Sequence, residues 1–515
     1  MRTILTKSFA ILSLASVFMA GCTKDTFRDI NTDPNRPGFV TTTSILVSAE
    51  RQLVNAIRSE DINLRGAQLF AQYFSQNIYT DQSRYVVQTA YSDTYWSAMY
   101  KGLNNLNEII KLNTDPTTKG SVSLAGAGTN ANQIAIARIL KAYAFHNLTD
   151  VFGDIPYESY GNKDPDFEAL QQAPDNLTPK YAAQEKIYRD ILKELQESAD
   201  TLLKYKDLNT FAAADIIYGG ANRQWAKFAN SLRLRLAMRI RSKDGSFATA
   251  QIEDALQKGV FASNADNAAF TFNEAPPYQA PLFRATVTAN RKDFAVSKVL
   301  VDALQGKKGP FTALDPRLPQ YAKANVKGAY VGQPYGLPLA AGNAFPIDSI
   351  SLPGTVINAA NYAEVLQEYA EVAFLIAEYK NWDTQAYKNG VKASLEKWKV
   401  AAGDVEEYLK TLPEANKETV LTQKYFALYN QGFEAWSEIR RTGYPLFLVK
   451  KGEVIWTGIV AGKPTTYTFN PEVSDKLPTR FIYPQIEQST NQANYRKALA
   501  AQGDDVITTK VWWNR

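Results

Sequence analysis

Few residues in this 515-residue chain have types and spacings suited to chemistry, and the most pointed is its only cysteine, Cys22, in "SLASVFMAGCTKD". Arg2 and Lys7 form a positive leader, and an apolar run from Phe9 to Ala20 follows. That run has the length of a signal-peptide core and falls short of the ~20 residues of a membrane-spanning helix. The small residues Ala20 and Gly21 then precede the thiol. Met19-Ala20-Gly21-Cys22 resembles a bacterial lipobox, with Met where Leu is more usual. In such a site the thiol is the nucleophile that takes a diacylglycerol, and cleavage leaves it as the new N-terminus. A plain signal peptide with an incidental cysteine is the alternative, but charge, length, small residues and cysteine agree on lipidation. Residues 1–21 therefore read as a lipoprotein signal, and the polar, Pro-bearing stretch 22–40 as a lipidated tether. Lipidation at Cys22 would leave no thiol for a disulfide.

The other groups favour structure over catalysis. His146 is the only histidine, which excludes a two-histidine zinc site and leaves any hydrolase triad dependent on one residue. It lies in the apolar stretch "KAYAFHNLTD" and reads as a core or helix-end histidine bonded to backbone. "GAGTNA", Gly126 to Ala131, fits a permissive dinucleotide pattern but lacks a strand before it, so a Gly-rich connector is expected. Asn31, Asp33 and Asn35 alternate like the start of a calcium loop, but the glycine and distal glutamate are missing. Asp154 and Glu158 in "FGDIPYE" are the acids best placed for glycosidase chemistry, and a helix-terminating turn explains them equally well. No acid–base catalyst, metal site or cofactor emerges.

These residues must be positioned mostly by helices. Ile187, Ile191, Leu195, Ala199 and Leu202 make one apolar stripe, with Arg189, Asp190, Lys193, Glu194 and Glu197 expected on other faces. Ile134–Leu148 and Tyr362–Tyr379 are apolar almost all round, as in central buried helices. Further helices are expected near 41–60, 63–78, 92–112, 222–242, 249–258, 294–304, 384–399 and 417–441. Short breaks between pairs suggest stacked helical hairpins of the tetratricopeptide kind, though the spacing is irregular. Long insertions at 152–180, 260–293, 305–360 and 442–484 are rich in Pro, Gly, Asn and Tyr, and such loops commonly carry function. The fold expected is mainly α, helical hairpins against a loop-rich half, with 41–515 as a single domain.

Composition narrows the function. The chain is 45% hydrophobic and 21% charged, as globular proteins are. Its formal charge is +5, and loss of Arg2 and Lys7 with the signal takes it to +3. There is no basic stripe of the kind nucleic acid requires. No segment after the leader approaches 18 uninterrupted apolar residues. The aromatic supply is large, with 28 Tyr, 25 Phe and 8 Trp, which suits stacking on sugar rings or peptides.

Six motifs in order resemble the SusD/RagB family of Bacteroidetes outer-membrane lipoproteins. They are "DINTDPNRP" after the cysteine, "LTDVFGDIPYE" (148–158), "LDPRLP" (314–319), "EYAEVAFLIAEYKNW" (368–382), "YNQGFEAWSEIRRTGYP" (429–445) and "RFIYPQIEQSTNQANY". The resemblance spans essentially the whole mature chain. It implies a cell-surface protein that lies over a SusC-like TonB-dependent transporter, captures oligosaccharide for import and performs no chemistry on it. A peptide-binding member is the alternative within the family, and an anchored glycosidase the alternative outside it. Asp315-Pro316-Arg317 and the cluster Glu434, Trp436, Glu438, Arg440 and Arg441 read as scaffold, the latter as a buried polar junction.

Ligand residues in the family vary and lie on loops, so none carries over by motif. Two loops are the candidates here. One offers Tyr79, Arg84, Tyr85 and Tyr91; the other offers Tyr278, Phe283, Arg284 and Arg291 on a proline-stiffened segment. The expectation is that they converge on one ligand surface facing the transporter. The competing expectation is that their aromatics pack loops onto the core. The next candidate stretch is 329–345, with Tyr330 and Tyr335.

Overall fold

The computed structural model describes residues 40–124, 127–171 and 177–515. Cys22, the signal, the tether and the Asn31–Asn35 motif lie outside the described residues, as does Gly126. Thr42–Arg515 form one compact unit.

The chain opens with α1 (Thr42–Ile57), a π-helical segment Glu60–Ala67, a last helical turn ending at Phe70 and the short β1 (Phe74–Gln76). Then follow α2 (Thr89–Thr114), α3 (Asn130–Phe152), α4 (Gln184–Lys204), α5 (Asn222–Ile240) and α6 (Gly245–Lys258). Each of these packs on the next, α1 on α2 through α5 on α6, making the expected run of helical hairpins. Three strands come next, β2 (Ala268–Thr271), β3 (Phe294–Val296) and, after α7 (Lys298–Leu304), β4 (Ala363–Gln367). The second helical run is α8 (Tyr369–Tyr379), α9 (Thr384–Lys397), α10 (Ala402–Lys410), α11 (Lys417–Ala427) and α12 (Gly432–Thr442). A hairpin, β5 (Val454–Val460) and β6 (Lys463–Thr468), and the helices α13 (Gln485–Thr490) and α14 (Gln492–Gln502) complete it. The architecture is mainly α, tetratricopeptide-like hairpins with long loops, and the strands form two-stranded antiparallel pairs β1–β3, β2–β4 and β5–β6.

Local chemistry explains the element boundaries. Thr129 caps α3 by accepting from the Asn132 amide at 3.2 Å, and Gly153, at φ 91°, ends it. Between those ends α3 is buried almost throughout, as its all-round apolarity predicts. On α4 the apolar stripe is fully buried. Asp190 and Glu194, expected on other faces, are buried too, because Asp190 accepts from the Tyr157 hydroxyl (2.8 Å) and Glu194 from Arg138 (2.6 Å).

Several expected helices are shorter than their patterns. The 63–78 helix stops at Phe70: Gln72 turns to φ 56° and exchanges hydrogen bonds with the Val449 backbone, and β1 begins. Residues 294–296 and 363–367 are strands that run into α7 and α8. The 417–441 helix breaks around Asn430, at φ 69°, into α11 and α12. The helices α10, α13 and α14 had no counterpart in the pattern reading.

A buried charged network ties the two helical runs together. Arg235 on α5 grips Glu371 on α8 with two bonds of 2.7 and 2.5 Å. Arg239 joins Asp150 (2.5 Å) to Glu434, and Lys424 meets Glu438 at 2.8 Å. Arg440 lies over Trp436 and Trp513, 3.7 and 4.7 Å from the ring centroids. This is the junction the motif "FEAWSEIRR" suggested. Arg317 of "LDPRLP" is wholly buried, paired with Asp315 at 2.6 Å and donating to Gln423 and Ser394.

Candidate functional site

The acids and the histidine serve the scaffold. Asp154 accepts from the Gln184 amide at 2.9 Å, holding the first turn of α4, and Glu158 accepts from the Leu170 amide at 3.2 Å. Burial pushes both carboxyls up, with the backbone bonds opposing it. His146 is buried, but its partners are side chains and not the expected backbone: Nε2 faces the Asn147 amide at 3.1 Å and Nδ1 faces Asp150 at 3.4 Å. Burial pulls its pKa down, which favours the neutral ring.

The two candidate loops leave the same end of a strand pair. In β1–β3, Gln76 stands opposite Phe294, and the Asn77 amide donates to Asp293 at 3.2 Å. Residues 77–88 and 273–293 are therefore neighbours, although far apart in sequence.

Their side chains divide. Tyr79 is 63% exposed and Tyr278 is 46% exposed. The Arg51 guanidinium of α1 covers one face of Tyr278, 4.3 Å from the ring centroid. Arg284 reaches α1 one turn further on and donates to Asn55 at 2.6 Å. Burial lowers its pKa. Arg291 pairs with Glu60 (3.0 Å) and Asp293 (2.8 Å), and Tyr79 is close enough to act on its charge. Glu60 also holds Arg65 at 2.5 Å, and Arg65 lies over the buried ring of Tyr91, 5.7 Å from its centroid.

Tyr91 is buried and Arg291 is paired with acids, so neither is free for a ligand, and three further predicted residues do other work. Tyr85 is buried, at φ 71°, edge-on to Phe70 and Phe469, and belongs to the core. Arg84 is spent on Asp81 (2.7 Å) and Glu472. Phe283 is half-buried against the core. In the reserve stretch Tyr335 is fully buried, donating to the Leu69 carbonyl at 2.8 Å, and Tyr330 is half-buried against the core.

Of the predicted residues, Tyr278 and Arg284 touch side chains that line a groove of about 600 Å³ between α1 and α2, whose lining includes Val47 and Ala98. Ser48, Arg51, Gln52 and Asn55 line its α1 side. Through Arg51 and Asn55 it meets Tyr278 and Arg284. Sequence reasoning missed the α1 contribution. The signal was present: Ser44, Ser48, Arg51 and Asn55 recur every three or four residues, opposite the buried Ile45, Leu46, Ala49 and Leu53. Such a volume is in the range of about 300–1,000 Å³ typical of small-molecule sites.

No curated protein matches the chain. Solved structures do. A chitin-binding protein is 25% identical with a TM-score of 0.72, covering 92% of this chain and 100% of its own. A SusD homolog from Bacteroides uniformis is 24% identical with a TM-score of 0.71, covering 92% and 99%. A chitin-binding SusD homolog from Flavobacterium johnsoniae is 22% identical with a TM-score of 0.70, covering 91% and 98%. A family model, SusD-like, described as starch-binding associating with outer membrane, matches residues 34–484. Order of motifs, helical architecture and this match agree: the chain belongs to the SusD-like family.

Proposed function

We propose that this protein binds oligosaccharide at the cell surface, held to the outer membrane through lipidated Cys22, and delivers it to a SusC-like TonB-dependent transporter. The observation that carries the reading is the α1–α2 groove whose lining residue Arg51 supports one face of Tyr278, a ring that is 46% exposed. A half-exposed aromatic held in place by a cation is a ready platform for a pyranose ring, and the neighbouring amides and hydroxyls can bond its hydroxyls. The family's description and the chitin-binding relative support a glycan as the ligand. Asp154 and Glu158 hold backbone amides, which favours binding over hydrolysis.

Calorimetry against a panel of oligosaccharides, with chromatography of the ligand afterwards, tests this. A complex should form and the ligand should be recovered intact. Tyr278→Ala should cost about 1–3 kcal/mol of binding, by analogy with stacking of bases on aromatics, at unchanged melting temperature. Tyr85→Ala should instead lower the melting temperature, by about 3–5 kcal/mol of stability as for other buried aromatics. Shortened products from pure protein would replace this reading with the glycosidase one; binding of peptides alone would replace it with the peptide one.

A further inference from the structure

The groove has an unusual charge balance. Most arginines of the described chain sit beside carboxylates, as Arg58, Arg138, Arg291 and Arg441 do. Arg51 and Arg284 do not: among the described residues neither has a carboxylate in salt-bridge range. Arg51 has the Tyr278 ring, and Arg284 has only the Asn55 amide oxygen. The Arg284 Nε is buried with no acceptor at all. Arg51 and Asn55 are four residues apart on α1, so they share one face of the helix, and the 273–293 segment meets that face twice, through the Tyr278 ring on Arg51 and the Arg284 guanidinium on Asn55. No carboxylate lines the groove. Glu60, next to the lining residue Ser59, is held by Arg65 and Arg291, and Glu274, on the Tyr278 segment, accepts from the Asn361 amide.

A guanidinium that is part-desolvated and lacks a counter-charge is held at a cost that an anion brought into the groove would offset. Guanidiniums are the groups best shaped to grip a carboxylate or a sulfate through paired N–H bonds. Resting on the glycan-binding reading above, we infer that this groove selects acidic saccharides, with Arg51 and Arg284 clamping an anionic substituent while the open face of Tyr278 stacks on the ring that bears it. A neutral chain would leave both cations unanswered. A uronate carboxylate and a sulfate ester offer the same oxygen geometry, and the test separates them.

The full-length protein is screened against immobilised neutral, uronate-containing and sulfated oligosaccharides. Hits are then titrated by calorimetry in low and high NaCl. Binding is expected among the anionic members only, weakening as salt rises. Oligogalacturonate binding without sulfated-galactan binding assigns the carboxylate, and the reverse assigns the sulfate. Arg51→Gln and Arg284→Gln should each weaken the anionic hit about tenfold or more, and Arg51→Lys and Arg284→Lys should recover part of it. Melting curves show that the variants are folded, and if Arg284→Gln is not, Arg51→Gln alone carries the test. Neutral oligosaccharides bound as tightly as acidic ones, or variants with unchanged affinity, would overturn this inference while leaving glycan binding intact. No saccharide bound at all would overturn both.

Discussion

Asp150 shows how one side chain can govern a core. It accepts from Tyr188, from Arg239 at 2.5 Å and from the Trp513 indole at 2.8 Å, with His146 at 3.4 Å. Burial alone would push its carboxyl up; the Arg239 guanidinium and then the bonds from His146 and Tyr188 outweigh that and hold it well below the usual carboxylate range. A carboxyl depressed in the folded state adds stability that is full above its unfolded pKa of about 3.9 and is lost as pH falls below it. Asp150→Asn leaves Arg239 buried with less counter-charge and should cost about 3–5 kcal/mol at pH 7. Denaturant melts should show that gap narrowing from about pH 4 downwards. Equal stability at neutral pH would mean that Asp150 contributes nothing net.

At the level of elements, the helices were legible because their signal is local. The stripe of α4 and the all-round apolarity of α3 announce themselves within a few turns. The short strands do not: Phe74–Gln76 and Phe294–Val296 continue apolar patterns that suit a helix, and only their distant pairing makes them strands. Asp190 and Glu194 look like a solvated face until Tyr157 and Arg138 arrive from elsewhere. Tyr85 sits in a polar turn that suits either a ligand contact or core packing, and Phe70 and Phe469 enclose it in the core. The loop half of the groove could be named from aromatics and arginines, whereas the helix half needed the fold to show that α1 faces the loop. The α1–α2 contact that shapes the groove rests on Gly102, where a Cβ would stand 2.6 Å from Leu53 Cδ2 and 2.9 Å from its Cγ. Gly102→Val should therefore force the helices apart, costing about 1–3 kcal/mol by overpacking, and should weaken ligand binding along with stability. A melting curve like that of the wild type would show that α1 can yield without cost.

For the whole molecule, the decisive question is attachment. No helix among the described residues is long and apolar enough to cross a membrane. The proposed attachment is the N-terminal lipid, since several acyl chains on one residue anchor firmly. Cys22→Ser should leave the folded body unchanged by circular dichroism and move it from the membrane fraction to the soluble one. Mass spectrometry of membrane-bound wild type should find the thiol acylated; an unmodified Cys22 there would sink the anchor.

The indole of Trp513 meets the carboxylate of Asp150 across 363 positions of sequence. In a chain made from its N-terminus, Asp150, near the end of α3, gains this partner only after those intervening positions are made, long after Tyr188 and Arg239 have emerged. At about 5–20 residues per second of synthesis, that wait is roughly 20–70 s. Throughout it Asp150 lacks one of its buried donors. Timing, as much as stability, is written into the placement of that tryptophan.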